Sequence, residues 1–423
     1  MTLDPVHVDD IARMASTLAG TMDDTDHDDV ARTVWEQWLD PLRPVGGGRP
    51  VVEPLGEQRL NAAVIDDVAL AEPPFPTVHG LDSGTINPTT FKNGLVLDVA
   101  HAAMAAEPSD LDLHRNRSIV MTAHTRDPTA PIGEEEWRKS DEGYGRRRVI
   151  RAPRVSRYAE GVVHALSLYL AESAHALEHA DHVSDLLFLD GPLYPKELLN
   201  WRDRDAELRE LTREAQPKAI VENYIRLVEQ FVERGVPLAG FVKNPSAKHI
   251  VNTVERQFKE SGGGKVPWID DVAFFIQLLE QRTGPDLDDR RTDELTFTNW
   301  FVSRGGSDRQ VSADGDAFGI DRKLDPEAYT VTFFTIYDPR TDVGYRVEAP
   351  YAVTKDPEVR EKLTLQAVRD VAANRGPPTA IEKADELARV SVGEKAALRQ
   401  KLAEEMSSEA QYAYDDVRWP ADE

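Results

Sequence analysis

Two short apolar runs in this chain of 423 residues end in the same way. Val78-His79-Gly80-Leu81-Asp82-Ser83-Gly84-Thr85 and Leu186-Leu187-Phe188-Leu189-Asp190-Gly191-Pro192 each carry a hydrophobic strand up to an aspartate with glycine close behind. Strand burial gives no reason to finish on a carboxylate, because an ionised group taken out of water costs on the order of several kcal/mol unless it is paired. Either aspartate alone is also readable as a cap for the turn that follows it. Side by side in one sheet, the two make a hard oxygen-ligand site for Mn²⁺ or Mg²⁺.

Composition narrows the chemistry around that pair. With no cysteine, disulfides, Cys-ligated zinc, iron–sulfur centres and a thiol nucleophile are excluded. No run approaches the roughly 18 uninterrupted apolar residues of a membrane helix. The start, Met1-Thr2-Leu3-Asp4-Pro5, has neither the basic nor the apolar region of a secretion signal. A cytoplasmic protein without membrane contact is the expectation. The net charge of −25 would ordinarily repel nucleic acid, whose affinity comes mostly from Lys and Arg on phosphates. The acid is spread along the chain, however, and only 14 of the 50 basic residues are Lys. Diffuse acidity with Arg preferred over Lys resembles adaptation to high salt, where self-repulsion is screened. Local basic clusters therefore say more about ligands than net charge does. The densest is Arg146, Arg147, Arg148, Arg151, Arg154 and Arg157, readable as a DNA-backbone stripe or as partners for Glu134–Glu136, Asp141 and Glu142. Trp137 and Tyr144 nearby can stack on unpaired bases or pin the loop.

Hydrophobic periodicity predicts amphipathic helices over 6–20 and 28–41, stopped by Pro41 and the Pro- and Gly-containing stretch 44–50. Strands follow over 76–83, 93–104 and 116–124. Residues 126–153 are polar and read as an excursion or mobile loop. A long helix is expected over 155–181, then a strand over 185–190, helices over 203–216 and 218–235, and a strand over 238–243. Beyond it come a helix over 246–258, the flexible Gly262-Gly263-Gly264 and an apolar helix over 271–282. Alternating residues 329–337 and 343–349 flank Asp338-Pro339 as a β-hairpin, and helices over 356–374, 379–391 and 393–413 precede an acidic tail. Three antiparallel strands followed by helix-linked strands describe an α/β fold: a ribonuclease-H-like mixed sheet flanked by helices, with helical N- and C-terminal extensions. In that architecture the ends of the first and fourth strands are neighbours, and Asp82 and Asp190 fall at those two places.

Metal-assisted phosphodiester cleavage wants a third acid, expected from the first turns of the long helix. Glu160 fits that position, with Glu172 in reserve and Glu178 further along; for any one of them a solvated helix face is the plainer reading. Lys243 ends an apolar strand, placed to meet a phosphate as a point charge or to reach water, and Lys248 and His249 follow it. His101, His114 and His124 lack metal-ligand spacing, Ser83 lacks a G-x-S-x-G context, and there is no Walker-type glycine loop.

Several pieces in order resemble the NurA family of DNA-end-processing nucleases. They are Leu81-Asp82-Ser83-Gly84, Leu187-Phe188-Leu189-Asp190-Gly191-Pro192-Leu193, Gly240-Phe241-Val242-Lys243-Asn244, Tyr345-Arg346-Val347-Glu348-Ala349-Pro350 and Ala384-Asp385-Glu386-Leu387-Ala388. The resemblance implies a Mn²⁺-dependent 5′→3′ exonuclease and single-strand endonuclease that processes ends in double-strand break repair. It also implies a homodimer working with DNA and a HerA-type hexameric ATPase translocase. Asp82, Glu160 and Asp190 would carry the family's metal-binding acids and Lys243 its lysine. Two departures stand out: the first motif reads Asp-Ser-Gly where the family usually has Asp-Gly-Ser, and Asp385 stands where many members have histidine, so that Asp385 must substitute as a ligand if that histidine assists metal or phosphate binding, or activity falls. A nuclease domain over 51–391 is expected, with an N-terminal helical segment over 1–50 and a C-terminal helix and acidic tail over 392–423. The alternatives are an actin-like or sugar-kinase-type ATPase, for which Ser303–Ser307 is a poor adenosine loop, and a non-catalytic DNA-end adaptor.

Overall fold

The computed structural model describes residues 3–19, 27–130, 132–262, 265–283, 289–311 and 318–411. Gly263, Gly264 and the acidic tail lie outside the described residues. One 14-stranded mixed sheet organises the rest. Its central strands are β1 (Val78–Thr85), β2 (Leu95–Glu107), β3 (Arg117–Thr125), β4 (Glu135–Lys139), β5 (Gly145–Arg151), β6 (Leu186–Asp190), β7 (Leu238–Val242), β8 (Val331–Asp338) and β9 (Val343–Pro350). Across the sheet the order is Val52–Pro54, Phe301–Ser303, β8, β9, β7, β6, β1, β2, β3, β5, β4. β1, β2 and β3 are antiparallel neighbours, and β6 then runs parallel to β1, with β7 parallel to β6 beyond it. This is the expected ribonuclease-H-like order, with β1 and β6, the strands that end on Asp82 and Asp190, in contact.

The parallel strands need helical crossovers, and the sequence provides them. α1 (Ala159–His179) buries Val163, Leu166, Leu170 and Ala174 at helical spacing against one face of the sheet. α2 (Ala215–Arg234) adds Ile220, Tyr224, Val228 and Phe231 to the same core and stops at Gly235, whose φ of +66° closes the last turn onto Phe231. The opposite face is covered by α3 (Pro357–Asn374) and α4 (Thr379–Ala388), packed on Val78, Phe188, Phe241 and Val347. Helices His27–Trp38, His249–Glu260 and Asp271–Leu279 cover the β8 side of the sheet around Phe301 and Phe333. Each fully buried Leu, Val or Phe in these layers stabilises the fold by roughly 1.5–3 kcal/mol.

Three sequence expectations are corrected. Residues 126–153 are not a loop: β4 and β5 lie within them, and β5 pairs in parallel with β3 from Arg117↔Gly145 to Ala123↔Arg151. The arginines of β5 hide its strand character, because only Ile150 is fully buried and no apolar alternation marks it. The helix expected over 203–216 is divided between Lys196–Arg204 and Ala206–Leu211, since the extended Asp205 ends the first and accepts the Glu207 N–H to start the second. The helix expected over 393–413 ends at Glu405.

Strand alternation decides what β1 presents to each layer. Leu81 faces α1, whereas Gly80 and Gly84 face α4 so closely that a Cβ on either would collide with the carbonyls of Ala380 and Ala388. Asp82 lies between those glycines, on the α4 side. The two missing side chains therefore seat a helix directly beside the first aspartate. Gly84→Ala is expected to lower the denaturant-unfolding free energy by about 1–3 kcal/mol through overpacking against α4; an unchanged midpoint would show that this contact does not constrain the helix.

Candidate active site

The parallel ladder between β1 and β6 ends at Leu81↔Leu189, so Asp82 and Asp190 are the next residues on adjacent strands. β7 flanks β6 with Phe241 opposite Asp190. Two residues on, Lys243 Nζ meets Asp190 Oδ2 at 2.6 Å. α4 carries Asp385, which is exposed but near enough for its charge to act on both Asp190 and Lys243. Asp82, Asp190, Lys243 and Asp385, four positions singled out in the sequence, are thus brought together.

Their ionisation is strongly perturbed. Burial, and then the charge of Asp190, pushes Asp82 up to about 8 against the opposing Ser83 N–H and Lys243. Asp190 is also raised, by burial first, with Lys243 opposing and Asp385 adding to the shift. The two carboxyls lie near enough for the charge of Asp190 to act on Asp82. Burial would lower Lys243, but its contact with Asp190 and the nearby Asp82 and Asp385 raise it instead. One lysine thus faces a concentrated negative site.

The acid that α1 brings to this site is Glu172. Ser83 Oγ donates to its Oε1 at 2.6 Å and Tyr224 OH to its Oε2 at 2.9 Å, anchoring it from the α1 side of β1. Burial raises Glu172 to about 7, the two hydroxyls opposing and Asp190 adding to the effect. Glu160 is not brought there: it is exposed and accepts a hydrogen bond from Thr90 Oγ1 at 2.9 Å. Twelve residues at 1.5 Å each separate the two acids by about 18 Å along the helix. The sequence shows that α1 carries acids, but not which turn crosses β1. Between them, His164 Nδ1 contacts the fully buried Asp98 at 3.0 Å, and Thr85 Oγ1 donates to the same carboxylate at 2.7 Å. In the sequence, the aspartate inside the apolar run 95–106 marks this buried polar contact.

The arginine stripe lies elsewhere. β5 is three strands from β1, about 14 Å at the usual strand spacing. Arg146 is taken up structurally: it pairs with Glu178, donates through Nε to Ser118 Oγ at 3.0 Å and stacks on Trp137 at 4.2 Å. Tyr144 is likewise covered by Arg115, 3.6 Å from the ring centre. Arg147 and Arg154 are exposed, and Arg148 and Arg151 half-buried. Arg157 pairs with Asp205 at 3.1 Å. Lys248 is exposed, whereas His249 is drawn into contact with Asp271 at 3.4 Å and Ser303 at 3.3 Å. His114 and His124 accept backbone N–H groups of Ala106 and Val155, at 2.9 and 3.2 Å.

Two carboxylates that must otherwise share a proton fit a divalent cation, which would compensate both charges. Among the described residues, no three His, Asp or Glu side chains are already grouped closely enough to hold an ion. Mg²⁺ and Mn²⁺ are hard cations that a pair of carboxylates can hold, with waters completing the shell. A family model, described as the NurA domain, matches residues 76–390, a span containing every one of these groups. The chain belongs to the NurA family. No curated protein sequence matches it. Among solved structures it is similar to the NurA nuclease from Sulfolobus solfataricus, at 11% identity over 96% of this chain and 98% of that one, with a TM-score of 0.49. It is also similar to a NurA bound to dAMP and manganese, at 10% identity over 96% and 98% of the two chains and a TM-score of 0.42. A third, NurA with manganese, is 11% identical over 81% of this chain and 95% of that chain, with a TM-score of 0.38.

The raised Asp82 gives this NurA protein a signed pH dependence. An acid raised on folding contributes stability that is complete below its unfolded value, near 3.8, and lost as pH climbs through about 8. In chelator, Asp82→Asn is expected to raise the calorimetric melting midpoint at pH 8.5 and leave it little changed at pH 4. The same increment at both pH values would refute the buried-carboxylate account.

Proposed function

We propose that this protein is a divalent-metal-dependent nuclease that hydrolyses DNA phosphodiesters. The observation that carries the reading is the Asp82–Asp190 pair: adjacent strand positions, carboxyls close enough for the charge of Asp190 to raise Asp82, and Lys243 as the one cation in contact with it among the described residues. Membership of the NurA family supports it. Bound Mn²⁺ or Mg²⁺ would polarise the phosphodiester and lower the pKa of water at the site. Asp82 and Asp190 hold the ion in this reading. Glu172, fixed by Ser83 and Tyr224 and poised near neutrality, completes the acid set from the α1 side and exchanges a proton at the site's margin. Lys243 neutralises phosphate charge, and Asp385 stands where many family members have histidine, adding negative charge beside Lys243.

The finer assignments rest on the family. They are 5′→3′ exonuclease and single-strand endonuclease action at DNA ends, a homodimer and a HerA-type translocase as partner; work in the cytoplasm at high salt is read from composition instead, from the diffuse acidity with Arg favoured over Lys and the lack of cysteine. Arg147, Arg148, Arg151 and Arg154 remain the DNA-backbone candidates, with Arg146 buttressing them through Glu178 and Trp137. No helix among the described residues is long and apolar enough to cross a membrane.

The test is cleavage of end-labelled linear DNA at high salt, with Mn²⁺ or with chelator. Asp82→Ala or Asp190→Ala is expected to lower metal-dependent cleavage at least about 1,000-fold, the scale of several kcal/mol of lost charge stabilisation, with the circular dichroism spectrum unchanged. Full activity in either variant, or ATP turnover without DNA in place of cleavage, would overturn the reading. The choice of helix acid is checked separately: Glu172→Gln is expected to lower cleavage at least tenfold, whereas Glu160→Gln leaves it within about twofold.

A further inference from the structure

Asp190 is followed by a turn with an unusual anchor. Gly191 has φ +128° and donates its N–H to Phe241 O at 3.0 Å, and the chain then passes flat across β7 at Gly240. A Cβ on Gly240 would lie 2.6 Å from both Gly191 O and Leu193 N, so only glycine lets the turn through. Beyond Gly240 the Leu193 N–H reaches Glu348 Oε2 at 3.2 Å; Glu348 stands on β9 directly opposite Gly240.

Glu348 is fully buried and held from two further sides. Lys196 Nζ lies 2.7 Å from Glu348 Oε1 and 2.7 Å from Asp308 Oδ1. Arg346 binds the same two acids, at 2.8 Å to Glu348 and 3.3 Å to Asp308, and its guanidinium stacks 3.7 Å over Phe333. Ser303 Oγ donates to Asp308 Oδ2 at 2.6 Å, holding Asp308 from a further side. Hydrophobic side chains of the same size would pack this place at lower desolvation cost. What they could not do is accept the Leu193 N–H, three residues from Asp190, while being held in place by a lysine that begins the very next helix.

We propose that Glu348, locked by Lys196 and Arg346, is a positioning residue for Asp190: it clamps the Gly191–Leu193 turn over Gly240 and so fixes the aspartate relative to Asp82. This rests on the nuclease reading above and deepens it. The clamp lies on the α1 face of the sheet while Asp190 points to the α4 face, so Glu348 acts through the backbone and touches neither metal nor DNA.

The test uses the full chain, with Mn²⁺ affinity measured by calorimetry and the Mn²⁺ concentration for half-maximal DNA cleavage measured alongside. Glu348→Gln keeps the shape and removes the charge, and Gly240→Ala disturbs the same turn sterically. Both are expected to weaken Mn²⁺ binding about 10–100-fold, the usual scale for an outer-shell support. Cleavage should be substantially restored at saturating Mn²⁺, and amide exchange at Gly191, Leu193 and Tyr194 in chelator should be faster. Asp308→Asn, in the same ion network but away from the turn, is expected to lower the melting midpoint without changing Mn²⁺ affinity. Unchanged Mn²⁺ affinity in Glu348→Gln and Gly240→Ala overturns the clamp, as does an equal loss in Asp308→Asn, which would indicate general loosening. Wild-type protein that neither binds Mn²⁺ nor cleaves DNA overturns the nuclease reading itself.

Discussion

Leu81 and Leu189 form the last rung of a parallel ladder, and the next residue on each strand is an aspartate. The rest of the architecture depends on that rung. Hydrophobic burial of β1 and β6 drives the two strands together, and strand register leaves no choice about where the carboxylates go: onto the same face, one strand spacing apart. Apolar packing thereby pays for an electrostatic juxtaposition that the charges would not make unaided. The result appears as the rise of Asp82 to about 8 and the raised Asp190 beside it.

The surrounding elements are arranged to tolerate this concentration of charge. Gly80 and Gly84 remove side chains so that α4 seats beside Asp82, and α4 brings Asp385 with it. Lys243 arrives because β7 lies beside β6 and continues past Asp190. Glu172 comes from the other layer, held by one hydroxyl on β1 and one on α2. The site therefore draws on the sheet and on the helical layers of both its faces.

A second charged assembly, around Lys196, Asp308, Arg346 and Glu348, is buried on the α1 face a few residues beyond Asp190. The two assemblies differ in kind. At the carboxylate pair negative charge exceeds positive, and pKa values rise. In the Lys196 assembly two cations match two anions, and Asp308, although burial opposes it, is held down to about 2 by Lys196 and Arg346. An unbalanced cluster suits binding an external cation; a balanced one suits holding the backbone still.

Much of this was legible in the sequence because it depends on short-range pattern. Apolar runs ending on Asp82 and Asp190, the strand–helix alternation and the ordered motifs fixed the sheet order, the family, and four members of the site. The arginine-rich β5 was not legible: pairing with β3 satisfies its backbone, and its side chains carry no period-two apolar signal. Glu172 was interchangeable with Glu160 in sequence, since each is an acid on the same helix, and only the depth at which α1 crosses β1 separates them. Glu348 and Gly240 stood in motifs without a visible role, because their relation to Asp190 exists only once three strands lie side by side. What the sequence determined alone was which segments must be buried and therefore which residues end them. Which distant residues share a site was decided by the tertiary structure, because side-chain contacts across strands and layers are set by register and helix placement that local periodicity does not encode.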